Sequence, residues 1–212
     1  MSITPAQFPE LLNAISAIIN ENAESVTELD QAIGDGDHVY NLQRGIEALQ
    51  THSTEIAALD WPAAWQKIGM TVMAAIGGAS GSLYATLFIS LAKNSKDKPD
   101  SIQTFAEAFE LAVEAVKLRG KADMGEKTML DVWVPVAHAF KQSVSAGKAL
   151  PEILEIVCST AEIGVESTRD MLATKGRASF LGERSRGHID AGAKTAQLML
   201  TAIASVIKAA PQ

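Results

Sequence analysis

Between Glu28 and Asn41 the chain places three aspartates, Asp30, Asp35 and Asp37, within eight residues. Gly34 and Gly36 flank Asp35 and let the backbone fold sharply enough for the carboxylates to converge. Converging carboxylates repel one another, and a hard divalent cation relieves that repulsion. Magnesium suits such a set, because it takes oxygen ligands and is commonly held by a few carboxylates, with phosphates and water completing its shell. A lone Asp-Gly-Asp would read as a solvated turn, with Asp37 capping the helix that follows. The third carboxylate at Asp30, with His38 and Asn41 just beyond, favours a metal site. An EF-hand calcium loop is disfavoured because its ligand series and its bidentate glutamate are missing. Zinc is disfavoured because oxygen donors dominate and no cysteine is near. His38 could orient an aspartate, touch a ligand or act as a base, and the sequence leaves these open.

Three other segments combine glycine with polar or charged residues. Gly77-Gly78-Ala79-Ser80-Gly81 separates two apolar stretches, and a helix opening near Ser80 would point free N–H groups at an anion. It is not a P-loop, for no Lys-Ser/Thr pair follows it. Taken alone it reads as a tight interhelical turn. The segment from Arg119 to Thr128 carries two lysines and two glycines, and Lys127 and Thr128 could meet a phosphate where the next helix begins; a solvated connection explains it equally well. Residues 175–187 alternate glycine, serine and arginine (Arg177, Arg184, Arg186) and read as one long non-helical stretch. Loops of about 12–15 residues inside compact domains are uncommon and often functional, and the planar guanidinium suits phosphate oxygens. His188 adjoins this loop, while His52 and His138 fall on expected helices and read as ordinary.

The elements that must position these segments are helices. Thr4, Pro5 and Gln7 form a start signal, and the first helix is expected to run to about Asp30 on Leu11, Ile15, Ile18 and Ile19. A second spans Val39 to Ser53. The third starts at the Asp60 cap with Trp65, Ile68, Val72 and Ile76 on one face. The fourth is capped by Ser80 and reaches Lys93. The fifth, from Ser101, shows Phe105, Phe109, Val113 and Val116. The sixth runs from the Thr128–Asp131 cap to near Gly147, the seventh from Pro151 to about Thr174. Asp190 caps an eighth with Ala193, Ala196, Leu200, Ile203 and Ile207. Short connections imply antiparallel neighbours, so the expected fold is a single all-α domain, an up-and-down bundle or ring of eight helices.

Composition agrees: of 212 residues, 47% are hydrophobic and 20% charged, as in globular proteins, while only 5% are aromatic. The net charge of −7 argues against nucleic acid or anionic membrane as partners. The one cysteine, Cys158, allows no intrachain disulfide and reads as a buried, inert thiol. No signal-peptide pattern opens the chain and no apolar run approaches ~18 residues, so a cytoplasmic location is expected.

With its motifs in order, the chain resembles the nucleotide-binding (L) subunit of dihydroxyacetone kinase over essentially all 212 residues. The resemblance is carried by Ile33-Gly34-Asp35-Gly36-Asp37-His38 with Asn41, by Gly77 to Gly81, by Lys127-Thr128-Met129 with Asp131 to Pro135, and by Gly176 to Ser179 with Leu181 to Arg184. It implies an eight-helix antiparallel barrel that binds ADP or ATP with two magnesium ions at one end. Asp30, Asp35 and Asp37 would be the metal ligands. His38, Val39, Tyr40, Asn41, Ala79, Ser80, Gly120, Thr128, Met129, Arg177, Asp190, Ala191 and Gly192 would approach the nucleotide, with Arg177 as the catalytic group. The family passes a phosphoryl group to dihydroxyacetone held covalently by a separate K subunit. Bound ADP would be rephosphorylated by a phosphotransferase-system M subunit, or ATP would exchange freely. A homodimer is left open. So are a related ketose as acceptor and a non-catalytic, nucleotide-binding regulatory role. Three positions depart from the family pattern: Val39 replaces a glycine and would narrow a turn beside the nucleotide, Glu126 stands for aspartate, and Ala191 for proline.

Overall fold

The structure is a computed structural model that describes residues 3–209. It contains α1 (Phe8–Glu21), α2 (Ala23–Ile33), α3 (His38–Thr51), α4 (Ser53–Ala57), α5 (Trp61–Ala75), α6 (Gly78–Ser95), α7 (Ile102–Gly120), α8 (Leu130–Ser145), α9 (Leu150–Ser167) and α10 (Ala191–Ala209). No strand occurs among the described residues. The first expected helix is two, α1 and α2, because the chain leaves helical geometry at Asn22, whose side chain turns back to donate to the Ile18 carbonyl at 2.8 Å. A 3-10 turn over Pro5–Gln7 precedes α1, with the Thr4 N–H donating to Gln7 Oε1 at 3.1 Å. The single turn α4 follows α3 after a second such break at His52.

Eight staves therefore remain: α1 continued by α2, then α3, α5, α6, α7, α8, α9 and α10. Each packs on the next, and α10 closes the ring against α1 and α2. The caps follow local rules. Asp60 accepts from the Ala63 N–H at 2.9 Å, Ser101 from Thr104 at 3.1 Å, and Asp190 from Ala193 at 2.7 Å. Gly77, rather than Ser80, holds the N-cap position of α6, which puts Ala79 and Ser80 inside its first turn. The seventh stave ends at Ser167, seven residues short of the expected Thr174. The Thr168 hydroxyl, instead of facing solvent on a further turn, accepts from the Asp190 N–H at 3.0 Å and ties the chain to the start of α10.

The apolar interior draws on every stave and continues into an aromatic cluster whose Phe105 reaches the surface. Trp61 stacks on Trp65 at 4.5 Å between centroids, and Trp65, Phe88, Phe105, Phe109 and Phe140 continue the cluster. Each aromatic pair adds ~0.5–1.5 kcal/mol beyond its buried area. On α1 the buried face runs through Phe8, Leu12 and Ile19, with Leu11 only half-buried. Cys158 is half-buried on α9, and burial pushes its thiol pKa up. Among the described residues, no helix is long and apolar enough to cross a membrane.

Candidate functional site

In an up-and-down ring, alternate connections fall at one end. Here those are residues 34–37, the α5–α6 turn at Ile76 and Gly77, residues 121–129, and residues 168–190. They contain the four segments singled out for chemistry, so the topology alone gathers them on one rim. Helices α3, α6, α8 and α10 all begin there, and the positive ends of their dipoles bias the rim toward anions.

The acidic turn follows α2. Asp30, Asp35 and Asp37 each offer a carboxylate oxygen, and these oxygens lie within 4.8 Å of one another. Gly34 makes this approach possible: a side chain at that position would overlap Asp30 Oδ1 and the Asp30 carbonyl. The His38 N–H donates to Asp30 Oδ2 at 3.1 Å and fixes that carboxylate. Asp37 occupies the N-cap position of α3, but its side chain makes no capping hydrogen bond. The capping reading of Asp37 therefore fails on geometry, and the carboxylate stays available to a ligand. An all-oxygen set of this span fits magnesium.

Arg177 reaches this turn from the segment between α9 and α10, which packs against α2. Its Nη2 lies 2.7 Å from Asp35 Oδ2, a pair open to solvent on the arginine side. The segment expected to be irregular is instead a 3-10 stretch over Arg177–Ser185 that kinks at Gly182. Its ends are held: Ala173 N–H donates to Ser185 Oγ at 3.0 Å, and Gly187 N–H to the Arg169 carbonyl at 2.8 Å.

His38 Nε2 lies 2.8 Å from Thr195 Oγ1 on α10, and that hydroxyl also donates to the Gly192 carbonyl at 3.1 Å. Burial lowers the His38 pKa, against Asp30 and Asp37, which raise it. Beneath this pair lies Tyr84, whose hydroxyl is buried with no hydrogen-bond partner among the described residues. Burial drives its pKa far up, and Thr195, though outside hydrogen-bond geometry, tempers the rise.

The third and fourth connections meet beside it. Gly192 packs against the Met129 backbone, and Met129 is itself buried. Thr128 and Asp131 cap α8 reciprocally: Leu130 N–H donates to Thr128 Oγ1 at 3.1 Å, and Thr128 N–H to Asp131 Oδ2 at 2.7 Å. Asp190 is pushed up to about 7, chiefly by burial and then by the charges of Asp131 and Asp30, while the Ala193 N–H and Lys127 hold it down. Gly120 ends α7 against Leu83 of α6, next to an Arg119–Ser82 hydrogen bond of 2.8 Å.

Not every expected residue faces the rim in the expected way. Val39 is buried in the core cluster, so its side chain packs inward rather than narrowing a turn, and Ala191 is buried likewise. Tyr40 is exposed, with Arg44 5.9 Å from its ring centroid. Lys127 is neither solvated nor free for a phosphate: it is 1% exposed and donates to the Thr168, Arg169 and His188 carbonyls. Thr195 and Tyr84 were not singled out by sequence. Their only signal is a polar group set on an apolar helical face.

The DAK2 domain family profile matches residues 32–205. The chain is 38% identical over 192 residues to a PEP-dependent dihydroxyacetone kinase ADP-binding subunit, DhaL, of Listeria innocua, covering 91% of each chain. It is 38% identical over 209 residues to the PEP-dependent dihydroxyacetone kinase ADP-binding subunit DhaL of Escherichia coli, covering 98% of this chain and 100% of that one. The crystal structure of the dihydroxyacetone kinase from C. freundii in complex with AMP-PNP and Mg2+ has the same fold. It matches with a TM-score of 0.71 at 19% identity, over 97% of this chain and 35% of that chain.

Proposed function

The chain belongs to the DAK2-domain family, and on that premise we propose that it is the ADP-binding subunit of a phosphoenolpyruvate-dependent dihydroxyacetone kinase. Residues 1–212 act as one nucleotide-binding domain. The observation that carries this reading is the convergence of three aspartate oxygens within 4.8 Å, faced by Arg177 on a separate segment.

Asp30, Asp35 and Asp37 hold two magnesium ions against the nucleotide phosphates. Magnesium, when bound, neutralises phosphate charge and aligns the transferring group. The chain's own groups then bind and orient. The first turns of α6 and α10, at Ala79, Ser80, Ala191 and Gly192, direct N–H groups at phosphate oxygens. His38 through Asn41, Gly120, Thr128, Met129 and Asp190 enclose the rest of the nucleotide. Arg177 swings from Asp35 to the γ-phosphoryl group; as the bond to the β-phosphate breaks and ADP is returned, the phosphorus bonds to a hydroxyl oxygen of the ketose, whose proton passes to a base outside this chain. The acceptor sits covalently on a K subunit. A phosphotransferase-system M subunit rephosphorylates the ADP, which stays resident. The relatives' designations as ADP-binding and PEP-dependent favour this donor over exchanging ATP.

The test is a reconstituted assay with K subunit, magnesium, and either the phosphoenolpyruvate-fed phosphotransferase proteins or ATP. Triose phosphate is expected with the former, and the purified chain should retain stoichiometric ADP through gel filtration. Folded chain that forms no triose phosphate with any donor would overturn the enzymatic reading. Free loss of ADP with activity on ATP would replace the donor.

A further inference from the structure

We propose that Lys127 is a positioning residue for phosphoryl transfer: its ammonium pins both ends of the arm that carries Arg177, and so sets where Arg177 meets the acidic turn. The inference rests on the reading of Arg177 as a phosphate-binding group.

The geometry is unusual for a lysine in a polar connection. Lys127 is 1% exposed, in a left-handed backbone conformation with φ of 63°, which turns its side chain inward between α9 and α10. A lysine ammonium has three donors, and all three find backbone carbonyls: Thr168 at 2.5 Å, Arg169 at 3.3 Å, and His188. Among the described residues no carboxylate oxygen lies within 4.0 Å of it. Two of these carbonyls open the arm and the third closes it. The Arg169 carbonyl also accepts from Gly187 N–H at 2.8 Å, so both ends of the arm meet at one point.

The arm's other ties are internal or return to the same place. Thr174 Oγ1 donates to Glu126 Oε1 at 2.6 Å, Lys175 pairs with the same carboxylate oxygen at 3.4 Å, and Arg186 donates to the Asp170 carbonyl. Glu126 is the residue next to Lys127. Beyond these, the 3-10 stretch packs against α2, and the Arg177–Asp35 pair joins the arm to the acidic turn. The arm is thus clamped at its base by Lys127 and touches the acidic turn at its tip. Removing the ammonium leaves the buried His188 carbonyl without its donor and leaves the Thr168 and Arg169 carbonyls only the Met171 and Gly187 N–H groups, so the base keeps only the Asp190 N–H to Thr168 Oγ1 bond to α10.

The experiment compares wild type with Lys127→Met, Arg177→Ala and the double variant. Three readouts are taken: Mg·ADP affinity by calorimetry, transfer rate in the reconstituted assay, and backbone hydrogen exchange without nucleotide. Lys127→Met is expected to raise exchange at least tenfold across residues 170–188 while α5 to α7 keep wild-type protection. Transfer should fall at least tenfold, and Arg177→Ala should cost little further in the Lys127→Met background. Manganese binding to the acidic turn alone should be unchanged. Unchanged exchange in residues 170–188, or fully additive losses, would overturn the proposal; so would uniform loss of protection, which marks a merely structural lysine. Should Lys127→Met fail to fold, Lys127→Gln, which keeps two donors, must show the same pattern at reduced size. If wild type binds no nucleotide, the proposed function fails on its own, and the exchange arm still decides whether Lys127 clamps the base.

Discussion

Arg177 Nη2 and Asp35 Oδ2 lie 2.7 Å apart, joining the loop before α10 to the turn after α2. The guanidinium thus occupies one member of a carboxylate cluster whose repulsion a cation would otherwise relieve. On the proposed function, a phosphate arriving with its metal would compete for both partners and give the pair two states. Arg177→Ala should therefore lower phosphoryl transfer by ~100-fold, the usual scale for one donor at developing charge, while metal affinity at the aspartates holds or rises. Steady-state transfer rates and manganese titration check the two halves separately.

Asp35→Ala and Asp37→Ala should each abolish magnesium-dependent ADP binding and leave helicity intact, since both side chains are exposed. In wild type, ADP should raise the melting temperature only when magnesium is present, because a ligand stabilises only the state it binds. Melting curves in the four combinations of ADP and magnesium test this. An equal shift by ADP in chelator would argue against the site.

Gly34→Ala should weaken metal binding although it removes no ligand, because its methyl overlaps Asp30 Oδ1 and the Asp30 carbonyl. The expected stability loss is about 1–3 kcal/mol, in the range of backbone strain. Denaturant unfolding measures the stability, and calorimetry should show the larger fractional loss in magnesium affinity.

Two rim groups give opposed pH dependence in metal-free protein. The His38 pKa is lowered by burial below 6.5, so its neutral form favours the fold; that contribution is complete above pH 6.5 and is lost as pH falls. The Asp190 pKa is raised from 3.8 to about 7, so its protonated form favours the fold; that contribution is complete below pH 3.8 and is lost as pH rises to 7. His38→Gln should flatten the acid limb of melting temperature against pH, and Asp190→Asn the limb between pH 4 and 7. Melting in chelator from pH 4 to 8 reads both. A profile unchanged in Asp190→Asn would show that Asp190 is ionised throughout.

The acidic turn was legible because its chemistry is local: three carboxylates and two glycines constrain one another within a single turn. The stave count was legible for a similar reason, since helical periodicity and caps at Asp60, Ser101 and Asp190 are short-range signals. What sequence missed depends on distant partners. Lys127 reads as either solvated or phosphate-binding until Thr168 and His188 are placed around it. Thr195 reads as one polar residue on an apolar stripe until His38 arrives from α3. The overlong seventh helix has the same cause, for the bond that redirects Thr168 comes from Asp190. Asp37 shows the reverse case, in which a residue with a sound local role as a cap does not take it.

The ring has one seam that chain order does not close, where α10 meets α1 and α2. Every other junction joins successive staves, so each can form with a short loop closure, whereas the seam must bring together opposite ends of the sequence. It is where the assembled molecule should open first, and hydrogen exchange should be fastest along α1 and α10 among the long helices. The His38–Thr195 bond and the Arg177–Asp35 pair both cross it. A nucleotide gripped from both sides would act as a rivet through that joint, slowing spontaneous unfolding of the whole barrel.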